Sequence, residues 1–439
     1  MSTGLVIAAP SSGAGKTVVT LALLRHLAAR GMRVAAAKAG PDYIDAAFHQ
    51  AASGLPCRNL DLWAMRPPTL AGEVATLEAA AELVLCEGAM GLFDGAGETG
   101  EEGSTAALAA ATGWPVVLVV DARGQGASVA PLVAGFARHS AATSLAGVIL
   151  NRVGSPRHEA LLRAALARHL PGLAVVGVVP RHPALSLPER HLGLVQAGEH
   201  QDLAGFLDGA AAIVGATVDI DRLTGLARPS GLAHAPAEPP LPPLGQRIAV
   251  ACDAAFAFAY PTTLAGWRRA GAALSFFSPL ADEAPAPDAD AVYLPGGYPE
   301  LHAGRLAASA RFQQGLRRAA RDGAFVYGEC GGYMALGQGL LDADGARHAM
   351  AGLLPLETSF AARRLHLGYR RACVAAATPL GPAGARFRGH EFHYAATISE
   401  RDAMPLFEAS DASGTPLGPS GLVRGRVAGS FLHLFDREA

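Results

Sequence analysis

Charge, aromatic rings, cysteine and long apolar runs are all scarce in this chain, and each shortage removes a class of function. Charged residues make up only 17% of it and sum to a formal net charge of −2. A general nucleic-acid binder would carry a basic excess, so no nucleic-acid partner is expected. The five cysteines (Cys57, Cys86, Cys252, Cys330 and Cys373) are odd in number and widely spaced. No pair has zinc-ligand spacing, and a disulfide framework is not expected. Apolar stretches such as Trp114–Val120 fall far short of the roughly 20 residues that span a bilayer, so no membrane partner is expected. The first strand-like run starts within a few residues of Met1, which leaves no room for a signal peptide. A cytoplasmic location is therefore the expectation. What remains is bulk: 439 residues, 50% of them hydrophobic, enough for two or three domains with sizeable cores.

The strongest motif comes first. Ser11, Ser12, Gly13, Ala14, Gly15, Lys16 and Thr17 follow the apolar run Leu5–Ala9 and open a helix-like run, Val18–Arg30. Strand, glycine-rich turn, Lys-Thr and helix are the context of a phosphate-binding loop. Glycines let backbone N–H groups crowd round a triphosphate, and the helix N-terminus favours negative charge. Lys16 would reach the outer phosphates and the Thr17 hydroxyl would hold Mg²⁺. The turn opens on Ala9-Pro10 where glycine is usual, so the loop is a variant.

Strand-like runs then recur at Val34–Lys38, Glu82–Cys86, Val116–Asp121, Gly147–Leu150 and Val175–Val179, with helical stretches between most of them. That alternation indicates a parallel sheet covered on both faces, with ligands at the carboxyl ends of its strands. Three strand ends carry chemistry. Lys38 is followed by Gly40-Pro41-Asp42-Tyr43-Ile44-Asp45, which sets a cation beside two carboxylates. Asp42 and Asp45 are candidate metal ligands or substrate-orienting groups, with helix capping as the alternative. Glu87 ends the next strand, placed to hold Mg²⁺ or its water, while Asp94 reads as a turn residue. Asn151 can donate to and accept from an adenine edge, with a turn-forming role as the competitor.

Between Leu226 and Gln246 the composition shifts to Pro229, Pro236, Pro239, Pro240, Pro242 and Pro243 with Gly and Ser. Such a stretch reads as a semi-rigid spacer without a core. The expected division is residues 1–227, a linker 228–246, and 247–439. The α/β pattern then restarts with Arg247–Cys252, Ala273–Phe277, Ala291–Leu294 and Ala324–Gly328, so two doubly wound parallel-sheet domains are expected. Gly328-Glu329-Cys330-Gly331-Gly332 has the form of a nucleophile elbow with cysteine at its apex. A helix N-terminus there should lower the thiol pKa. The N–H groups of Gly331 and of Gly297, from Pro295-Gly296-Gly297, could form an oxyanion hole. His433 is the best-placed base, with His390 and His393 as competitors.

Taken together, these residues resemble the cobyrinate or hydrogenobyrinate a,c-diamide synthase family of cobalamin biosynthesis. The Cys330 elbow, the Pro-Gly-Gly loop and late His433 resemble a class I glutamine amidotransferase domain of flavodoxin-like fold. The amino-terminal half resembles the dethiobiotin-synthetase-like P-loop NTPase fold. GPDYID (Gly40–Asp45), EGAMGLFDG (Glu87–Gly95), LNRVGS (Leu150–Ser155) and LPERHLGL (Leu187–Leu194) carry the combined resemblance over essentially the whole chain. The resemblance implies a glutamine-dependent carbon–nitrogen ligase. Cys330, assisted by His433, would release ammonia from glutamine. ATP would activate the a- and c-acetate carboxylates of a corrin polycarboxylate as acyl phosphates, which ammonia would convert to amides. Ser12, Gly13, Ala14, Gly15, Lys16, Thr17, Lys38 and Asn151 would bind ATP. Thr17, Asp45 and Glu87 would hold Mg²⁺, and Asp42 would join the metal or orient substrate. Arg363, Arg364, Arg370 and Arg371 are basic enough to meet the corrin carboxylates, with a solvated loop as the alternative. A homodimer is the candidate assembly.

Two positions depart from the family pattern. Phe435 stands where most class I amidotransferases place the glutamate that orients the base, leaving Asp436 or Glu438 to do so. Cys252-Asp253-Ala254 also lacks an asparagine found at this strand end. The rival readings are a nickel-sirohydrochlorin a,c-diamide synthase, a cobyric acid synthase and, from another class, a partitioning-type ATPase switch. The last has no use for a nucleophilic cysteine.

Overall fold

The computed structural model describes residues 2–187, 189–190, 193–194, 196–233 and 238–438. They form two compact units. Met1–Trp63 with Leu70–Ala237 makes the first, and Ala64–Thr69 with Glu238–Ala439 the second.

The first unit is built on seven strands: β1 (Thr3–Ala8), β2 (Val34–Ala39), β3 (Arg58–Leu60), β4 (Leu83–Glu87), β5 (Val116–Asp121), β6 (Leu145–Val153) and β7 (Ala174–Pro180). Their order is β3-β2-β4-β1-β5-β6-β7, and every pair is parallel. The inner strands are apolar apart from residues at or next to their ends because helices cover both faces of the sheet. Register places Lys38 on β2 opposite Glu87 on β4, and Glu87 opposite Ile7 on β1. The chemistry therefore gathers at one end of three adjacent strands. Two helices carry it onward, α1 (Lys16–Ala29) and α2 (Ile44–Ser53).

The proline-rich stretch is less of a spacer than its composition suggests. Gly4 and Arg228 exchange backbone hydrogen bonds of 2.8 and 3.1 Å, and Gly231 N–H donates to Thr112 O at 2.8 Å, so its start belongs to the first unit. At its other end Leu241 and Leu244 lie in the second unit's core, and Trp267 Nε1 donates to Pro242 O at 3.0 Å. Prolines can line a core edge wherever their carbonyls find donors. Pro236 lies outside the described residues.

The second unit holds β8 (Arg247–Ala251), β9 (Ala273–Phe277), β10 (Ala291–Leu294), β11 (Phe325–Glu329), β12 (His366–Val374), β13 (Arg386–His393), β14 (Met404–Asp411), β15 (Pro416–Arg424), β16 (Val427–Ser430) and β17 (Leu432–Arg437). The sheet order is β9-β8-β10-β11-β16-β15-β14-β12-β13-β17. The first five strands of that order are parallel, and the rest continue it as antiparallel neighbours. This antiparallel half is what the sequence reading lacks. One residue, Phe431, separates β16 in mid-sheet from β17 at the far edge. A single residue spans only about 3.5 Å, so the antiparallel half must curl until its edge returns to β16. The curl is what brings β13 and β17 to the end of β11, where Cys330 stands.

Candidate active site

The first cluster sits at the carboxyl ends of β1, β2 and β4. The phosphate loop keeps left-handed backbone at Gly13 (φ 76°) and Gly15 (φ 88°), a region that a Cβ disfavours. α1 starts at Lys16 with no side-chain cap, so its first-turn N–H groups keep their affinity for an anion. Lys38 Nζ lies 2.5 Å from Asp45 Oδ2 and 3.0 Å from Glu87 Oε1. Thr17 Oγ1 donates to the same Glu87 oxygen at 2.6 Å. The structure thus joins Thr17, Lys38, Asp45 and Glu87, four residues expected to act together.

His49 is the member that sequence reasoning missed. It stands one turn after Asp45 on α2, fully buried, with Nε2 2.6 Å from Glu87 Oε2 but poorly aligned for a hydrogen bond. Burial alone would lower its pKa, yet Glu87 raises it to about 10. Burial would raise Glu87, but Lys38 and His49 hold it well below the usual carboxylate range. Only the four-residue spacing from Asp45 could have flagged His49.

Asp42 does the work of a cap: its Oδ1 accepts from the N–H groups of Ile44 (2.8 Å) and Asp45 (3.1 Å). Burial and nearby Asp45 push its pKa up to about 6. Asn59 Nδ2 fixes the same turn by donating to Gly40 O and Asp42 O at 2.9 and 2.7 Å. Asp94 is the turn residue its spacing suggests, with Oδ2 accepting from Gly91 N–H at 2.8 Å. Asn151 meets the loop: Nδ2 donates to Ala14 O at 2.8 Å and Oδ1 accepts from Arg152 N–H at 2.9 Å. Beside it Arg152, at φ 59°, donates to Gly13 O and to Asp121 Oδ2, both at 2.7 Å. These braces hold the loop from behind.

Mg²⁺ takes oxygen donors in an octahedron, usually with only one or two carboxylates. The Thr17 hydroxyl and an ionised Glu87 already lie within one octahedral edge of each other, and Asp45 adjoins them through Lys38. The donor set fits that ion.

The second cluster is built round Cys330, between β11 and α3 (Gly331–Leu336). Its φ of 46° is strained for a residue with a side chain, as an elbow requires. Cys330 N–H donates to Ser430 O at 2.8 Å, and Sγ donates to Phe392 O at 3.7 Å. A Cβ on Gly331 would lie 2.9 Å from Gly297 N, so the two expected oxyanion donors face each other at close range. His433 reaches the same place. Its ring packs on Gly296, where a Cβ would come within 2.3 Å of Cε1, and Leu434 N–H donates to Glu329 Oε1 at 3.3 Å.

Two expectations change here. The thiol pKa is raised, not lowered: burial dominates, Glu300, Glu329 and Glu391 add to it, and a six-residue helix offsets little. Neither candidate third member meets His433. Asp436 accepts from Arg66 N–H (2.8 Å) and Nε (3.0 Å), and Glu438 from Arg371 and Arg388. The ring stacked on His433, at 4.8 Å, is His390. Burial holds both imidazoles down, His390 to about 3 and His433 well below its ordinary value. Of the four arginines, Arg370 binds Glu391 Oε2 at 2.8 Å and Arg371 binds Glu438, while Arg363 and Arg364 are exposed.

His366, Glu391 and His393 bring ligand-type atoms within 4.8 Å of one another. The imidazoles of His366 and His393 stack at 4.6 Å and only 4° apart, and Glu391 is already held by Arg370 and His393. The cluster is a paired polar one. The LPERHLGL segment lies partly outside the described residues; within it Glu189–Arg190 and Gly193–Leu194 pair antiparallel. Among the described residues no helix is long and apolar enough to cross a membrane.

Residues 5–195 match the model of the CobQ/CobB/MinD/ParA nucleotide-binding domain, and residues 247–439 that of the CobB/CobQ-like glutamine amidotransferase domain. The chain is 56% identical over 437 residues to the hydrogenobyrinate a,c-diamide synthase of Brucella abortus biovar 1, covering 99% of this chain and 98% of that one. With the enzyme of that name from Rhizobium meliloti it shares 56% over 439 residues, 99% of each chain. With that from Rhodobacter capsulatus it shares 55% over 433 residues, 98% of each.

Proposed function

The chain belongs to the hydrogenobyrinate a,c-diamide synthase family, and on that premise we propose that it amidates the a- and c-acetate carboxylates of hydrogenobyrinate, using glutamine and ATP. The observation that carries this reading is the joint presence of two clusters. One is a phosphate loop backed by Lys38, Asp45 and Glu87, and the other is a strained cysteine elbow beside the Pro-Gly-Gly loop on which His433 packs. A partitioning switch would need the first and have no use for the second.

In the second unit the Cys330 sulfur attacks the glutamine amide carbon while His433 takes the thiol proton. The tetrahedral oxyanion is met by the N–H groups of Gly331 and Gly297. Collapse expels ammonia with a proton returned by His433 and leaves a thioester, which water hydrolyses to glutamate. In the first unit, loop amides and Lys16 hold the triphosphate, and Lys38 neutralises the transferring phosphoryl group. Asn151 braces the loop, and its second amide hydrogen is the donor we assign to the adenine edge. The substrate carboxylate attacks the γ-phosphorus and releases ADP. Ammonia then displaces phosphate from the acyl phosphate, giving the amide. Mg²⁺, held by Thr17, Glu87 and Asp45, would supply charge neutralisation at the phosphates.

The test is to incubate the protein with hydrogenobyrinate, ATP, Mg²⁺ and glutamine and weigh the product. Two carboxyl-to-carboxamide conversions are expected. An unchanged corrin mass would overturn the reading.

A further inference from the structure

Three carboxylates, Glu300, Glu329 and Glu391, push the Cys330 thiol pKa up, and two of them are held by other side chains. Glu329 accepts from the Tyr293 and Tyr327 hydroxyls at 2.8 and 3.2 Å and from Leu434 N–H. Glu391 is held by Arg370 and by His393 Nε2 at 2.9 Å. The third is Glu300, whose Oε2 is buried with no hydrogen-bond partner. It lies in the turn Pro299–His302 that leaves the Pro-Gly-Gly loop. The turn packs on the residue after the nucleophile, since a Cβ on Gly331 would come within 2.9 Å of Pro299 Cδ. In the same turn His302 Nε2 is also buried without a partner. The cation acting on Glu300 is the exposed Arg363, and its influence is weaker than that of burial, which pushes the carboxyl up to about 8.

A buried carboxylate oxygen left without a partner costs on the order of 1–3 kcal/mol or more, and such a group persists where something else completes it. Glutamine brings one cation to this site, its α-ammonium group. We propose that Glu300 binds the α-ammonium of glutamine at the Cys330 site and so selects an α-amino acid amide over other primary amides. The inference rests on Cys330 being the glutaminase nucleophile.

The experiment compares glutamine with glutaramate, the same amide lacking the α-amino group, by kcat/KM for ammonia release. Both substrates are run on one enzyme preparation, so the folded fraction cancels from their ratio. Wild-type protein should prefer glutamine by about 100-fold or more, because a site built for a charged group rejects the analogue lacking it. Glu300→Gln should cut that preference at least about tenfold, mainly through a raised KM for glutamine, and Glu300→Asp should keep more of it than Glu300→Gln does. An undiminished preference in Glu300→Gln overturns the proposal, as does a wild-type enzyme that accepts both amides equally. Wild-type protein that releases no ammonia from glutamine overturns the reading of Cys330 itself, a different result.

Discussion

The two buried clusters of this protein solve opposite electrostatic problems. Round Glu87, carboxylates and cations interleave: Lys38 touches Asp45 and Glu87, and His49 touches Glu87. Round Cys330 the buried groups include a thiol, the neutral imidazoles of His390 and His433, and carboxylates, with Arg370 bonded to one of them. The first cluster keeps its charges paired in the resting state, an arrangement suited to the proposed binding of nucleotide and Mg²⁺. The second keeps its reactive groups neutral, and substrate has to supply the missing charge. A site for phosphoryl transfer can be fully ionised beforehand, whereas a buried thiolate without substrate would be costly and open to oxidation.

That contrast can be broken one cluster at a time. Lys16→Ala should lower amidation by about 10³-fold or more with either glutamine or free ammonia, while glutamine hydrolysis persists; product mass and glutamate release read the two separately. Loss of both activities together would erase the distinction between the clusters. Cys330→Ala should remove glutamine-driven amidation, again by about 10³-fold or more, yet retain turnover with ammonia. His49→Gln leaves buried Glu87 short of a cation and should destabilise the first unit by about 3 kcal/mol, measured by denaturant unfolding.

Stability against pH sharpens the comparison. The folded pKa of His49, about 10, exceeds its unfolded value, so its contribution is full below about 6.5 and fades as pH rises toward 10. Glu87 is depressed, so its contribution is present above its unfolded pKa and is lost in acid. Glu300 and Glu329 shift the other way, to about 8 and 7, so their protonated forms favour the fold and that benefit fades as pH rises through neutrality. Hydrogen exchange resolved by unit should show the first unit still losing protection between about pH 8 and 10, where the second has already lost this share. The smallest effect is Asp94→Ala, which removes one turn bond and should cost about 1 kcal/mol of stability.

What the sequence showed and what it hid divide along a physical line. The phosphate loop, Lys38, Asp45, Glu87 and Cys330 all stand at or within a few residues of the ends of apolar strands, and in a parallel sheet strand ends share one edge. Position in the chain was enough to find them. His49 lies in mid-helix and Asn59 on a three-residue edge strand, so no period or run marks either. The antiparallel half escaped for a similar reason. Strands such as His366–Val374 and Arg386–His393 are rich in arginine and histidine, and their curl depends on pairings far apart in the chain. The pairing of His433 with His390 follows from the ladder between β13 and β17, and that of Asp436 with Arg66 joins segments 370 residues apart; both are invisible to spacing.

The single residue Phe431 also bears on the order in which the molecule is made. Cys330 and His433 lie about a hundred residues apart, and the ladder joining β13 to β17 closes only when the latter has been synthesised. Contacts so distant in the chain form late and slowly. The phosphate loop meets Lys38 and Glu87 within the first hundred residues, so the nucleotide cluster can mature on the ribosome. Cys330 is made about a hundred residues before His433, so a nascent protein is expected to bind nucleotide before it can release ammonia.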